Sequence, residues 1–116
     1  MRMAIGAAVV TVLLLCPAKA WAEPETFELV IKDHRFSPAE LSVPARQKVK
    51  LVVKNEDAAA EEFESYDLRR EKIVAAGGQI TLFIGPLAPG RYEYFGDFHK
   101  DTAKGVIVAA VAQKGN

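Results

Sequence analysis

The sequence predicts an all-β fold, a Greek-key β-sandwich, on three observations. Short segments alternate apolar and polar residues with a period of two, as in Phe27, Leu29 and Ile31, in Val49, Leu51 and Val53, and in Ile80, Leu82 and Ile84. That alternation is the signature of a half-buried strand. Turn-forming Gly, Pro, Asn and Asp residues separate the segments at regular spacing, as in sandwiches and barrels. No long stretch carries the 3.6-residue period of an amphipathic helix.

The elements follow in order. The strand through Phe27–Ile31 is broken by Asp33-His34-Arg35, and Phe36-Ser37-Pro38 leads into a second strand around Leu41-Ser42-Val43. Pro44-Ala45-Arg46-Gln47 turns the chain into the Val49–Val53 strand, which Asn55-Glu56-Asp57 ends. Residues 58–61 read as a loop, followed by a β-rich segment around Phe63 and a polar connection from Tyr66 to Glu71. Lys72-Ile73-Val74 is a short strand, and Gly77-Gly78 turns the chain into the strand of Ile80, Leu82 and Ile84. A rigid loop, Gly85-Pro86-Leu87-Ala88-Pro89-Gly90, precedes a strand carrying Tyr92 and Tyr94. Gly105–Val111 is nearly continuous in apolar residues, which places it centrally, covered on both faces. The count is about eight strands, without repeats or a dividing linker.

Residues 1–22 read as a secretory signal peptide and 23–116 as the mature domain. Arg2 supplies the positive start, and Ala4–Leu15 is an uncharged apolar stretch. Ala18-Lys19-Ala20 or Ala20-Trp21-Ala22 offers the small residues a signal peptidase needs. The apolar stretch is too short to span a bilayer and no second one follows, so the mature protein is expected in the periplasm without a membrane span. The single cysteine, Cys16, falls in the segment to be removed. The mature domain would then form no disulfide and no thiolate–metal bond.

The chain has 15 basic and 15 acidic residues; loss of Arg2 and Lys19 leaves 13 against 15. No basic run appears, which argues against nucleic acid and anionic membrane as partners. Hydrolytic chemistry finds no support: Ser37, Ser42 and Ser65 lack a His/Asp arrangement, and neither a phosphate loop nor an HExxH motif occurs.

The strongest local pattern is Gly90-Arg91-Tyr92-Glu93-Tyr94-Phe95-Gly96-Asp97-Phe98-His99. It resembles the cupredoxin ligand loop, where a Pro-Gly turn and a Tyr-bearing strand lead to Cys-x-x-His. Here Gly96 stands at the cysteine position and His99 at the histidine. Phe36-x-Pro38, the Val43 and Val49 strands and Asn55-x-Asp57 follow the cupredoxin order, so the resemblance runs from Phe27 to Val111. Where cupredoxins place their first histidine, this chain has Glu61-Glu62-Phe63-Glu64. A carboxylate followed by an aromatic there is similar to the EfeO-type cupredoxin-like domain of periplasmic iron uptake. That resemblance implies handling of copper or iron beside an inner-membrane iron permease or a periplasmic iron-binding protein. The family's cysteines have no counterparts, because Phe36 and Gly96 occupy their places, and Thr102-Ala103 stands where the axial methionine would. A type-1 blue copper centre is excluded on chemistry.

The remaining donors are oxygen and nitrogen: His99, Asp97, Glu62, Glu61, His34 and Glu64. Carboxylates with imidazole suit divalent copper, iron or manganese rather than monovalent copper. Asp97 and His99, two apart, face one point if their loop is extended. His34 shares the parity of Phe36, which would point it inward, but its place in the Asp33-His34-Arg35 break favours a turn residue over a ligand. Alternation puts Glu61 on the Phe63 side and Glu62 with Glu64 on the other; parity favours Glu61, while the family register favours Glu62. The register carries the expectation, a divalent ion held by His99, Asp97 and Glu62. The function expected is metal binding accessory to an iron permease, with a ferroxidase role left open and a metal-free docking module as the alternative.

Overall fold

The computed structural model describes residues 3–4, 6–14 and 23–112. The proposed cleavage site and Cys16 lie outside the described residues. Among the described residues no helix is long and apolar enough to cross a membrane.

Nine strands among the described residues form two sheets packed face to face. They are β1 (Thr26–Lys32), β2 (Arg35–Ser37), β3 (Glu40–Pro44), β4 (Val49–Asn55), β5 (Glu61–Ser65), β6 (Arg70–Val74), β7 (Gln79–Ile84), β8 (Gly90–Gly96) and β9 (Lys104–Ala110), with one 3-10 turn at Asp97–His99. The four-stranded sheet runs β2-β1-β4-β7 and the five-stranded sheet β3-β9-β8-β5-β6. Most pairings are antiparallel, but β1 with β4 and β3 with β9 are parallel. The expected all-β sandwich is therefore present. The strand beyond the expected eight is β2, which lies within the approach to β3 in the sequence. Arg35–Ser37 folds back on Val30–Lys32 as the second arm of a two-residue hairpin.

Period-two burial builds the core. In β4, Val49, Leu51, Val53 and Asn55 are buried while the intervening residues are half-exposed. In β5 the buried set is Glu61, Phe63 and Ser65. Leu29, Ile31, Leu51, Val53, Phe63, Tyr94 and Ile107 are all essentially inaccessible. Strand β9 lies between β3 and β8, the central position its apolar sequence predicted, but it is not covered on both faces. Ile107 and Ala109 are buried on the core side, whereas Val106 and Val108 on the other are only half-buried and Val111 is exposed. Phe36 packs edge-on against Phe63 and Tyr94, which makes a floor of three aromatic rings below one end of the sandwich. Glycine lets the chain pass close to this floor at Gly105, where an added β-carbon would fall within the Tyr94 ring.

Candidate metal centre

The six donors divide into two groups on opposite faces of the β5 backbone. Side chains alternate across a strand. Glu61, on the same side as Phe63, therefore points into the end of the sandwich, whereas Glu62 and Glu64 point outward. One ligand atom each from His34, Glu61 and His99 lies within 4.8 Å of the others, and the same holds separately for Glu62, Glu64 and Asp97. Parity, rather than the family register, thus describes how Glu61 and Glu62 are placed.

The expectation that Asp97 and His99 face one point fails for a geometric reason. The loop is not extended: Asp97–His99 forms a single 3-10 turn. Residues two apart on a turn of three residues diverge by most of a half-circle. His99 turns inward, with Nδ1 2.5 Å from Glu61 Oε2. Asp97 turns outward and pairs with Lys100 at 3.1 Å. The trio of His99, Asp97 and Glu62 is not brought together.

Glu61 is 1% exposed, so its charge requires compensation inside the fold. Its Oε1 accepts the backbone N–H groups of Phe98 (2.9 Å) and Glu62 (3.0 Å), and its Oε2 faces His99. Removal of a residue at this position would leave those donors without an acceptor. The carboxylate fits because residue 96 is glycine: a β-carbon there would stand 2.6 Å from Glu61 Cδ, 2.7 Å from its Oε1 and 2.7 Å from Ala103 Cβ. Gly96 has φ −92°, which any residue adopts, so space and not backbone strain accounts for the glycine. The glutamate thus fills the volume toward which a side chain at the cysteine position would project.

His34 arrives from the other sheet. Its ring stacks on that of His99, with centroids 3.6 Å apart and planes 14° from parallel. Asp33 and His34 both have positive φ, 52° and 55°, as the centre of a type I′ hairpin requires. Asp57 holds this turn. Its Oδ1 accepts the Asp33 N–H at 2.7 Å and its Oδ2 accepts the His34 N–H at 3.0 Å. His34 Nδ1 lies 3.5 Å from the same Oδ2. The His34 backbone bond is the main reason the Asp57 carboxyl titrates below its usual range, against an opposing effect of burial. Asn55 in turn fixes Asp57. Its Oδ1 accepts the Asp57 N–H at 3.0 Å, and its Nδ2 donates to the carbonyls of Ala59 and Val74. In the sequence Asn55-x-Asp57 shows as a strand end and as part of the cupredoxin order, with no sign of this hydrogen-bonding role.

The site opens to solvent through a depression lined by His34, Asp97, Phe98, His99 and Thr102. Two imidazoles and one carboxylate, with the rest of the space open, form a donor set suited to divalent iron or copper. No described residue is a cysteine, which leaves no thiolate for a blue centre.

The outer group has a different character. Glu62, Glu64 and Asp97 face solvent beside Glu71, which lies directly across from Glu64 on β6. A hydrogen bond with Glu71, then partial burial and the neighbouring carboxylates, push the Glu62 carboxyl up to about 7.

Comparison with known proteins agrees with this architecture. A family model described as a cupredoxin-like domain matches residues 4–109. Over 81 residues the chain is 51% identical to an uncharacterized protein of Rickettsia prowazekii (strain Madrid E). That match covers 70% of this chain and 65% of the relative, so the chain spans just under two thirds of the relative's length. Among solved structures, auracyanin A, a "blue" copper protein of Chloroflexus aurantiacus, is similar with a TM-score of 0.65 and 18% identity, over 76% of this chain and 100% of that one. A purple cupredoxin from Nitrosopumilus maritimus gives a TM-score of 0.55 at 17% identity, over 72% of this chain and 98% of that one. At such identities the likeness shows the fold.

Proposed function

We propose a function from one premise: this chain belongs to the cupredoxin-like domain family. Our reading is that it binds a divalent metal, iron or copper, through His34, Glu61 and His99 at the open end of the sandwich. The observation that carries this reading is the replacement at position 96. Glycine there removes the sulfur donor, and the Glu61 carboxylate fills its volume with two imidazoles beside it. A hard oxygen in place of a soft thiolate shifts preference away from monovalent copper toward divalent ions.

The wider role we propose is that of a periplasmic accessory to a membrane iron permease, binding ferrous iron and presenting it onward. Support comes from the donor set, from the EfeO-like carboxylate segment, and from the signal-peptide pattern of residues 1–22. When bound, the metal would supply a redox-capable or exchangeable cation. The protein's residues hold it, and the depression beside His99 gives it access to solvent and to a partner.

Titration of the purified protein with iron(II) and copper(II), side by side with His99→Ala, tests the reading. Wild type is expected to bind one ion, and His99→Ala to lose tenfold or more in affinity, about the low end of the loss caused by disturbing even supporting residues. Absence of binding by folded wild type would contradict it and leave Glu61–His99 as a buried structural pair in a metal-free docking module.

A further inference from the structure

We infer that Asp57 is a positioning residue that fixes the direction in which the His34 ring faces His99 and Glu61; its consequence for metal binding rests on the function proposed above. The grounds are geometric. His34 sits on the outermost hairpin of the four-stranded sheet, whereas Glu61 and His99 belong to the five-stranded sheet. No strand pairing ties the hairpin tip to the site, because the β1–β2 ladder ends at Lys32 and Arg35.

Two consecutive residues at positive φ without glycine are unfavourable for ordinary side chains. Asp and His are among the residues that tolerate the region best. The carboxylate of Asp57 spans both of them, with one oxygen on the Asp33 N–H and the other on the His34 N–H. The second oxygen also lies near His34 Nδ1, which leaves Nε2 as the free ring nitrogen. A carboxylate beside one imidazole nitrogen is a recurrent means of fixing ring direction at metal sites.

Asp57 is itself anchored from the interior. Asn55, 2% exposed, accepts its N–H and is tied to the carbonyls of Ala59 and Val74. The Glu56 N–H donates to the Ile31 carbonyl at 2.8 Å, which pins the same loop to β1. The direction of His34 is therefore set by a chain of hydrogen bonds running from the core through Asn55 and Asp57 to the hairpin tip. A carboxylate presents one oxygen to each N–H donor, whereas an amide in the same pose would set its own NH2 group against one of them.

Two measurements test the inference. In the metal-free protein, the His34 ring protons should show the NMR shift caused by stacking on His99. Asp57→Ala should move them toward free-histidine values, and Asp57→Asn should move them part of the way, with circular dichroism confirming the fold. In copper(II) titrations, Asp57→Ala should lose about tenfold in affinity. It should cause no further loss when His34→Ala is already present. Unchanged His34 shifts in folded Asp57→Ala would overturn the positioning role. So would an equal affinity loss in the presence and absence of His34, which would show that Asp57 acts by another route. If the shifts move but His34→Ala leaves copper affinity intact, the positioning role stands and the assignment of His34 as a metal ligand falls.

Discussion

The carboxyl carbon of Glu61 lies 2.6 Å from the point that a β-carbon on residue 96 would occupy. The two positions therefore exclude one another: a side chain at 96 or the Glu61 carboxylate in its present place, but not both. Gly96 and Phe63 are direct partners in the β5–β8 ladder, so Glu61 stands two residues along the strand on the same face. The absence of a thiolate and the presence of a buried glutamate are one structural fact.

Gly96→Ala is accordingly expected to destabilise the fold by about 1–3 kcal/mol through overpacking against Glu61 and Ala103. Glu61→Ala should also destabilise, because the Phe98 and Glu62 N–H groups lose their acceptor, at about 1–3 kcal/mol for a buried donor left unpaired. The double variant should cost less than the sum of the two, since loss of the Glu61 carboxylate removes most of the crowding that a β-carbon at 96 meets. Urea unfolding of the four proteins in a double-mutant cycle measures this coupling. Simple additivity would mean that Glu61 does not occupy the volume beside residue 96.

Copper(II)-loaded protein should be weakly coloured and lack the intense charge-transfer band of copper–thiolate centres. A nitrogen and oxygen donor set offers no sulfur orbital for that transition. Absorption spectroscopy decides this directly, and a strong blue or purple colour would place a sulfur ligand at the site.

Glu62 gives a pH signature unrelated to metal. Its folded-state carboxyl is raised from an ordinary value near 4.5 to about 7, first by the hydrogen bond with Glu71. A group raised in this way stabilises the fold while protonated. That contribution is complete below about pH 4.5 and is lost as pH rises through about 7. Glu62→Gln, which cannot ionise, should therefore melt higher than wild type at pH 8 and converge with it near pH 5. Parallel melting curves with no dependence on pH would show that Glu62 and Glu71 do not share a proton.

Much of this architecture was legible in the chain, and the reasons differ by residue. Period-two alternation located β1, β4 and β7 because each buries one face, as Val49, Leu51 and Val53 show. Strand β2 escaped because three residues are too few to show a period, and its pairing depends on the Asp33-His34 turn. The same alternation separated Glu61 from Glu62. The family register pointed to Glu62 because it aligns sequence positions and carries no information about which face a side chain takes. The pairing of Asp97 with His99 rests on an extended loop, whereas Asp97–His99 is a 3-10 turn, and a further turn follows it in which the His99 carbonyl accepts from Thr102 and Ala103. Parity with Phe36 points His34 inward, while its place in a turn argues against a ligand role; the structure shows both, a turn residue whose ring reaches His99. What holds it there, Asp57, lies 23 residues away in sequence and could be found only in three dimensions.

The two carboxylate-bearing groups can also be told apart by affinity. Asp97→Ala and Glu62→Ala face solvent on the outer side, and each is expected to leave copper(II) affinity within about threefold of wild type. Loss of tenfold or more in either would move the site to the outer face.

Pulsed electron paramagnetic resonance of the copper(II) protein tests the central assignment most directly, because it counts imidazole nitrogens bound to the ion. The account predicts two histidine imidazoles in wild type, one in His34→Ala and one in His99→Ala, with Asp97→Ala and Glu62→Ala unchanged from wild type. A wild-type spectrum with no histidine coupling, or one that survives both histidine substitutions, would contradict a centre built from His34, Glu61 and His99.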